Sequence, residues 1–163
     1  MQHTISVLVE NEFGVLSRVA GLFSGRGFNI DSLSVAPANE EGLSRMTIVT
    51  RGDEQILEQI NKQLNKLIDI IKVIDFTDGS GIERELALIK VTAEDESRAE
   101  VLRIVDIFRT KIIDVTPKSY TIEATGNPAK IDAILDLLRP LGLKEVVRTG
   151  AVAIGRGAKG WKG

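Results

Sequence analysis

The sequence predicts an α+β protein made of two ferredoxin-like sandwiches in tandem, each of order βαββαβ. Three observations lead there. The apolar residues switch repeatedly between a period of two and a helical spacing, the mark of alternating strands and helices. The same order of switches returns after a glycine-containing connector. The 163 residues are enough chain for two small cores.

In the first half, Ile5, Val7 and Val9 alternate with Thr4, Ser6 and Leu8 as a half-buried strand. From Val15 the spacing turns helical, with Val15, Leu16, Val19, Ala20, Leu22 and Phe23 on one face, until Gly25 and Gly27 stop it. Phe28 to Ala36 is a second strand ending at Pro37, and Leu43 to Thr50 a third. Gly52 and Asp53 open a helix with Ile56, Leu57, Ile60, Leu64 and Leu67 inward, Asp53 being a good N-cap. Ile70 to Phe76 completes the unit.

Thr77 to Arg84, with two glycines and mixed charge, reads as a connector. Beyond it come a strand at Leu86–Thr92, a helix at Ser97–Phe108, and strands at Ile112–Val115 and Tyr120–Ala124. Asn127 and Pro128 start another helix, since proline at the first helical position forfeits only an amide that has no partner there. Ile131, Ile134, Leu135 and Leu138 form its apolar stripe, Gly142 ends it, and Leu143–Ile154 contains the last strand. The expected division is therefore 1–78, a linker at 79–84, and 85–163, with a mobile glycine-rich basic tail from about 155. Residues 1–78 carry 7 basic and 11 acidic groups, whereas 79–163 carry 14 and 12.

Composition removes several functional classes. With no cysteine, disulfides, thiol catalysis and cysteine-held metals are excluded. His3 is the lone histidine, which rules out a histidine triad or multi-histidine metal site within one chain; it reads as a strand-end side chain. No apolar run reaches membrane-spanning length. The strand pattern begins by His3, leaving no stretch for a signal or transit peptide, so a cytoplasmic protein is expected. The βαββαβ order also belongs to RNA-recognition domains, but their third strand carries base-stacking aromatics. Leu43–Thr50 has none, so no nucleic-acid partner is expected. The GxGxxG at Gly155–Gly160 lacks the following helix and the acidic residue that a dinucleotide site requires.

The sharpest local feature is Asn11-Glu12-Phe13-Gly14-Val15-Leu16, a strand-to-helix turn. Gly14 has no Cβ to keep a ligand from the backbone, and first-turn amides favour an anion such as a carboxylate. Asn11 offers both donor and acceptor, suiting an amino acid. The same residues also fit an ordinary tight turn with an asparagine bonding its own backbone. In Gly25–Asp31, Asn29 beside Ile30 could finish a small-molecule pocket, or serve turn chemistry at a solvated edge. Glu40-Glu41 and Glu94-Asp95-Glu96 read as solvated charge, not acid–base pairs.

The stretch from His3 to Leu33, above all Glu10 to Val35, resembles an ACT domain. More narrowly, it resembles the regulatory small subunits of acetolactate synthase (acetohydroxyacid synthase), and the resemblance extends over essentially the whole chain, in the manner of the bacterial members. It implies a non-catalytic subunit that activates a large catalytic subunit and confers feedback inhibition by valine in branched-chain amino-acid biosynthesis. Thiamine diphosphate, magnesium and FAD would belong to the large subunit, and no cofactor, metal or catalytic residue to this chain. It further implies a homodimer through ACT domains with the effector at the interface. Asn11, Gly14, Val15 and Leu16 of one chain would hold the polar atoms, while Asn29 and Ile30 of the partner close the pocket. The other reading is a free-standing amino-acid-sensing ACT protein that controls transcription or another enzyme.

Overall fold

The computed structural model describes residues 2–158 and 160, which form two compact units. The first takes in residues through Ile82 together with the segment from Ala151; the second is Glu83–Gly150.

The first unit runs β1 (Gln2–Glu10), α1 (Val15–Gly25), β2 (Asn29–Pro37), β3 (Leu43–Arg51), α2 (Glu54–Asn65) and β4 (Ile70–Asp75). Its antiparallel sheet has the order β2-β3-β1-β4, leaving β2 and β4 as edges. Alternation aims Ile5, Val7 and Val9 of β1 and Met46 and Ile48 of β3 at the helices. Val15, Val19, Leu22 and Phe23 of α1 meet them there with Leu57, Ile60 and Leu64 of α2. Asp53 caps α2 as its sequence position suggested, accepting a bond from the Ile56 amide at 2.9 Å. His3 is buried at the end of β1. Its Nε2 donates to the Gly52 carbonyl at 2.8 Å, and Nδ1 lies 3.1 Å from Thr77 Oγ1, so both ring nitrogens are engaged.

The second unit repeats the order with β5 (Gly81–Thr92), α3 (Glu96–Ile107), β6 (Lys111–Val115), β7 (Ser119–Gly126), α4 (Pro128–Gly142) and β8 (Leu143–Arg148). The strands lie in the order β6-β7-β5-β8. Ile89, Val91 and Ile122 pack against Val101, Ile104 and Val105 of α3 and Ile131, Ile134 and Leu138 of α4. Asn127 caps α4 by accepting from the Lys130 amide at 2.8 Å. Arg98 ties α3 to the β6–β7 hairpin: its Nη1 donates to the carbonyls of Ala93, Thr116 and Pro117, and its guanidinium sits 4.4 Å from the Tyr120 ring centre.

Two expected boundaries need correction. The 79–84 connector is not free linker, because β5 already begins at Gly81; the turn falls just before, where Gly79 takes φ 81° and its amide donates to the Phe76 carbonyl at 3.1 Å. The single last strand is also split. After β8 the chain turns at Gly150, with φ 80°, and β9 (Val152–Gly155) pairs with β5 as a separate fifth strand while its segment groups with the first unit. Ala151 and Ala153 are buried, the Arg156 amide donates to the Ser80 carbonyl, and Arg45 donates from Nε to Ser6 Oγ (2.7 Å) and from Nη2 to the Ala153 carbonyl (2.8 Å). Burial holds the Arg45 guanidinium below its ordinary pKa. The tail expected to be mobile from about 155 starts instead in structure, with Gly155 in β9 and Arg156 bonded to Ser80; Lys159 and Trp161–Gly163 lie outside the described residues.

Arg45 shares the outer face of the first sheet with Thr4, Ser6, Leu8, Thr47 and Val49, which are also buried. Ending the chain after Gly150 removes the carbonyl that a partly buried guanidinium needs. The first unit is then expected to lose about 1–3 kcal/mol, the scale for stranding a polar group. Thermal melts of the truncated and full chains check this.

Candidate functional site

β1 ends at Glu10, and the chain turns through Asn11–Gly14 into α1. Two neighbours fix the turn: the Glu10 amide donates to the Asp69 carbonyl at 2.9 Å and the Asn11 amide to the Gly42 carbonyl at 2.7 Å. Gly14 occupies the N-cap with φ 83° and gives the helix no side-chain cap. Only glycine takes that backbone without strain, and a Cβ there would meet Arg18 Nη1 at 3.2 Å. The helix start is therefore open, and its first-turn amides carry the positive end of the helix dipole, which suits a small carboxylate.

The site residues expected from sequence divide sharply. Asn11 is exposed beside Gly14, and Leu16 is half exposed one step into the helix. Val15 is different, because its side chain lies in the core among Val19 and Ile5. Only the Val15 backbone can face a ligand. Asn29 and Ile30 are nowhere near this turn. Asn29 pairs with Arg51, and Arg51 with Gln2, at the start of β1, whereas the turn follows Glu10 at its end. At about 3.3–3.4 Å per residue, the two ends are roughly 25 Å apart. One chain cannot close both groups around one amino acid.

At its own end, Asn29 Nδ2 donates to Asp31, which also accepts from Arg51 Nε at 2.7 Å and Gln2 Nε2 at 3.3 Å. Thr50 Oγ1 donates to the Asn29 carbonyl. Those bonds orient the Asn29 amide so that Oδ1 still has acceptor capacity for an ammonium. Asp31 is bulged out of register between Ile30 and Ser32, a common device at a sheet edge.

Sequence reasoning missed the support of the turn. Arg18 Nε donates to Asp69 Oδ2 at 2.7 Å, clamping α1 to the α2–β4 turn. Carboxylate oxygens of Glu10, Glu12 and Asp69 come within 4.8 Å of one another. Asp69 is remote in sequence, and nothing in its neighbourhood signals the contact. No helix of the described residues is long and apolar enough to cross a membrane.

A βαββαβ sandwich with a glycine-opened β1–α1 turn and a free β2 edge defines an ACT-domain protein. Comparison with known families agrees: residues 5–72 match the AHAS small subunit-like ACT domain, and residues 84–157 match the family described as the small subunit of acetolactate synthase. A probable acetolactate synthase small subunit from Archaeoglobus fulgidus is 55% identical over 98% of this chain and 99% of its own length. The acetolactate synthase small subunit of Haemophilus influenzae is 53% identical over 98% of each chain. The crystal structure of the acetolactate synthase small subunit from Thermotoga maritima superimposes with a TM-score of 0.87 at 43% identity, covering 98% of this chain and 99% of that one. The chain belongs to the family of acetolactate synthase small subunits, the regulatory partners of a large catalytic subunit.

Proposed function

We propose that this chain raises the activity of the acetolactate synthase large subunit and makes it sensitive to valine, which binds between two copies of the ACT domain. The observation that supports this reading is that the Asn11–Gly14 turn and Asn29–Ile30 lie at opposite ends of a sheet whose edge is β2. An edge strand presents unpaired N–H and C=O groups that a second copy can meet. Antiparallel pairing of two β2 strands, centred on Leu33, would bring Asn29 of one copy to the end where the other carries Asn11 and Gly14. Valine's carboxylate would then meet the α1 amides, its ammonium the asparagine oxygens, and its branched side chain Leu16 and Ile30.

On this reading the chain performs no chemistry. Thiamine diphosphate, magnesium and FAD belong to the large subunit, and the enzyme complex is cytoplasmic. Inhibition at a distance needs a coupling free energy of about 1–3 kcal/mol, which a ligand bridging two chains supplies by favouring one pairing geometry.

The deciding experiment is calorimetric titration of the purified chain with valine, leucine and isoleucine, followed by assay with the large subunit. Valine should bind, and the chain should stimulate pyruvate condensation until valine is added. Isoleucine differs by one methylene, so discrimination should be no more than about 10–200-fold. A chain that neither binds valine nor alters the large subunit's rate would defeat the proposal.

A further inference from the structure

Two large apolar side chains in the first unit are almost fully in solvent. Phe13, in the β1–α1 turn, is 101% exposed, and Ile68, in the α2–β4 turn, is 92% exposed. The core does not need either one, and such exposure marks contact surfaces when apolar groups cluster. These two emerge from adjoining turns: the Glu10 amide bonds the Asp69 carbonyl, and Arg18 bonds the Asp69 side chain. Beside them stand the carboxylates of Glu10, Glu12 and Asp69, with Arg18 already engaged by Asp69.

We infer that this acidic-rimmed apolar tip docks on the catalytic subunit, in an apolar pocket bordered by lysine or arginine. The inference rests on the reading that this chain acts on such a partner, and it names the surface that does so. An exposed aromatic is a typical interface anchor, while rim charges steer and select the partner. Like charge disfavours pairing two such tips, and the pairing proposed above runs along β2, whereas Ile68 lies beside β4 at the opposite edge of the sheet.

The test uses the full chain and the acetolactate synthase catalytic subunit of the same organism, with binding read by interference or by titration of stimulated activity. Phe13→Asp and Ile68→Asp, being on the surface, should fold with unchanged circular dichroism, and Ile68→Asp, which lies outside the turn proposed to meet a second copy, should keep self-association. Each should weaken binding to the catalytic subunit at least tenfold. Glu12→Lys should weaken it severalfold, and added salt should weaken the wild type more than Glu12→Lys. Unchanged affinity in both apolar variants would overturn the docking surface alone. Loss of self-association in Ile68→Asp instead would also overturn it, assigning the patch to a second copy. If the wild-type chain itself neither binds nor stimulates the catalytic subunit, the regulatory reading and this inference fall together.

Discussion

In the complex with the large subunit, Gly14→Asp is expected to abolish inhibition by valine while leaving much of the stimulation. Three terms act together. A side chain fills the space where the ligand's carboxylate would approach, and its negative charge repels that carboxylate. The third is backbone strain, because φ at Gly14 is 83° and the new Cβ would lie 3.2 Å from Arg18 Nη1. Aspartate tolerates left-handed backbone better than most residues, so the cost to folding should be about 1 kcal/mol or less. Gly14→Val adds a branched side chain that tolerates it poorly, and is expected to lose inhibition with a larger fall in melting temperature. Inhibition curves beside thermal melts separate the two effects. Undiminished valine sensitivity in Gly14→Asp would remove the turn from the site.

The second large effect is in the other unit, where Glu85 is buried under Arg148. The Arg148 Nε donates to Glu85 Oε1 at 2.7 Å and Nη1 donates to Asp132 at 2.7 Å, with Nη2 adding another bond to Glu85. Burial alone would lower the Arg148 pKa, but the bonds to Asp132 and Glu85 outweigh it, and the net shift is upward. Arg148→Met is expected to destabilise the unit by about 3 kcal/mol, because it strands a carboxylate that is only 4% exposed. The double variant Glu85→Gln/Arg148→Met should recover part of that loss. Asp132→Ala, which removes a partner 62% exposed, should cost less than about 1 kcal/mol. Denaturant titration followed by circular dichroism orders the three. A mild Arg148→Met would mean that Glu85 finds water.

Much of this was legible in the chain because the signals are local. Period-two and helical stripes mark both βαββαβ units, and the caps at Asp53 and Asn127 follow from side chains that bond an amide three residues on. The Asn11–Gly14 turn is legible for the same reason. What escaped depends on distant partners. Leu16 was read on the same apolar face as Val15, yet it is half exposed while Val15 is buried, because only the packed sheet decides where that face ends. Asp69 joins the turn through Arg18, fifty-one positions earlier. The return of β9 brings a carbonyl to a partly buried guanidinium 108 residues away and a strand edge to β5. The connector at 79–84 misled because glycines and charge read as loop, while Gly81 already lies in an extended strand.

The distance between Asn29 and Gly14 along one sheet has a genetic consequence. If every pocket takes one half from each of two chains, damage in the two halves can be sorted by assembly. A mixed pair of one Gly14→Asp chain and one Asn29→Ala chain collects both lesions in a single pocket and leaves the other pocket wholly wild type. Two separately insensitive alleles would then restore part of the valine response when expressed together. Two alleles damaged in the same half would not.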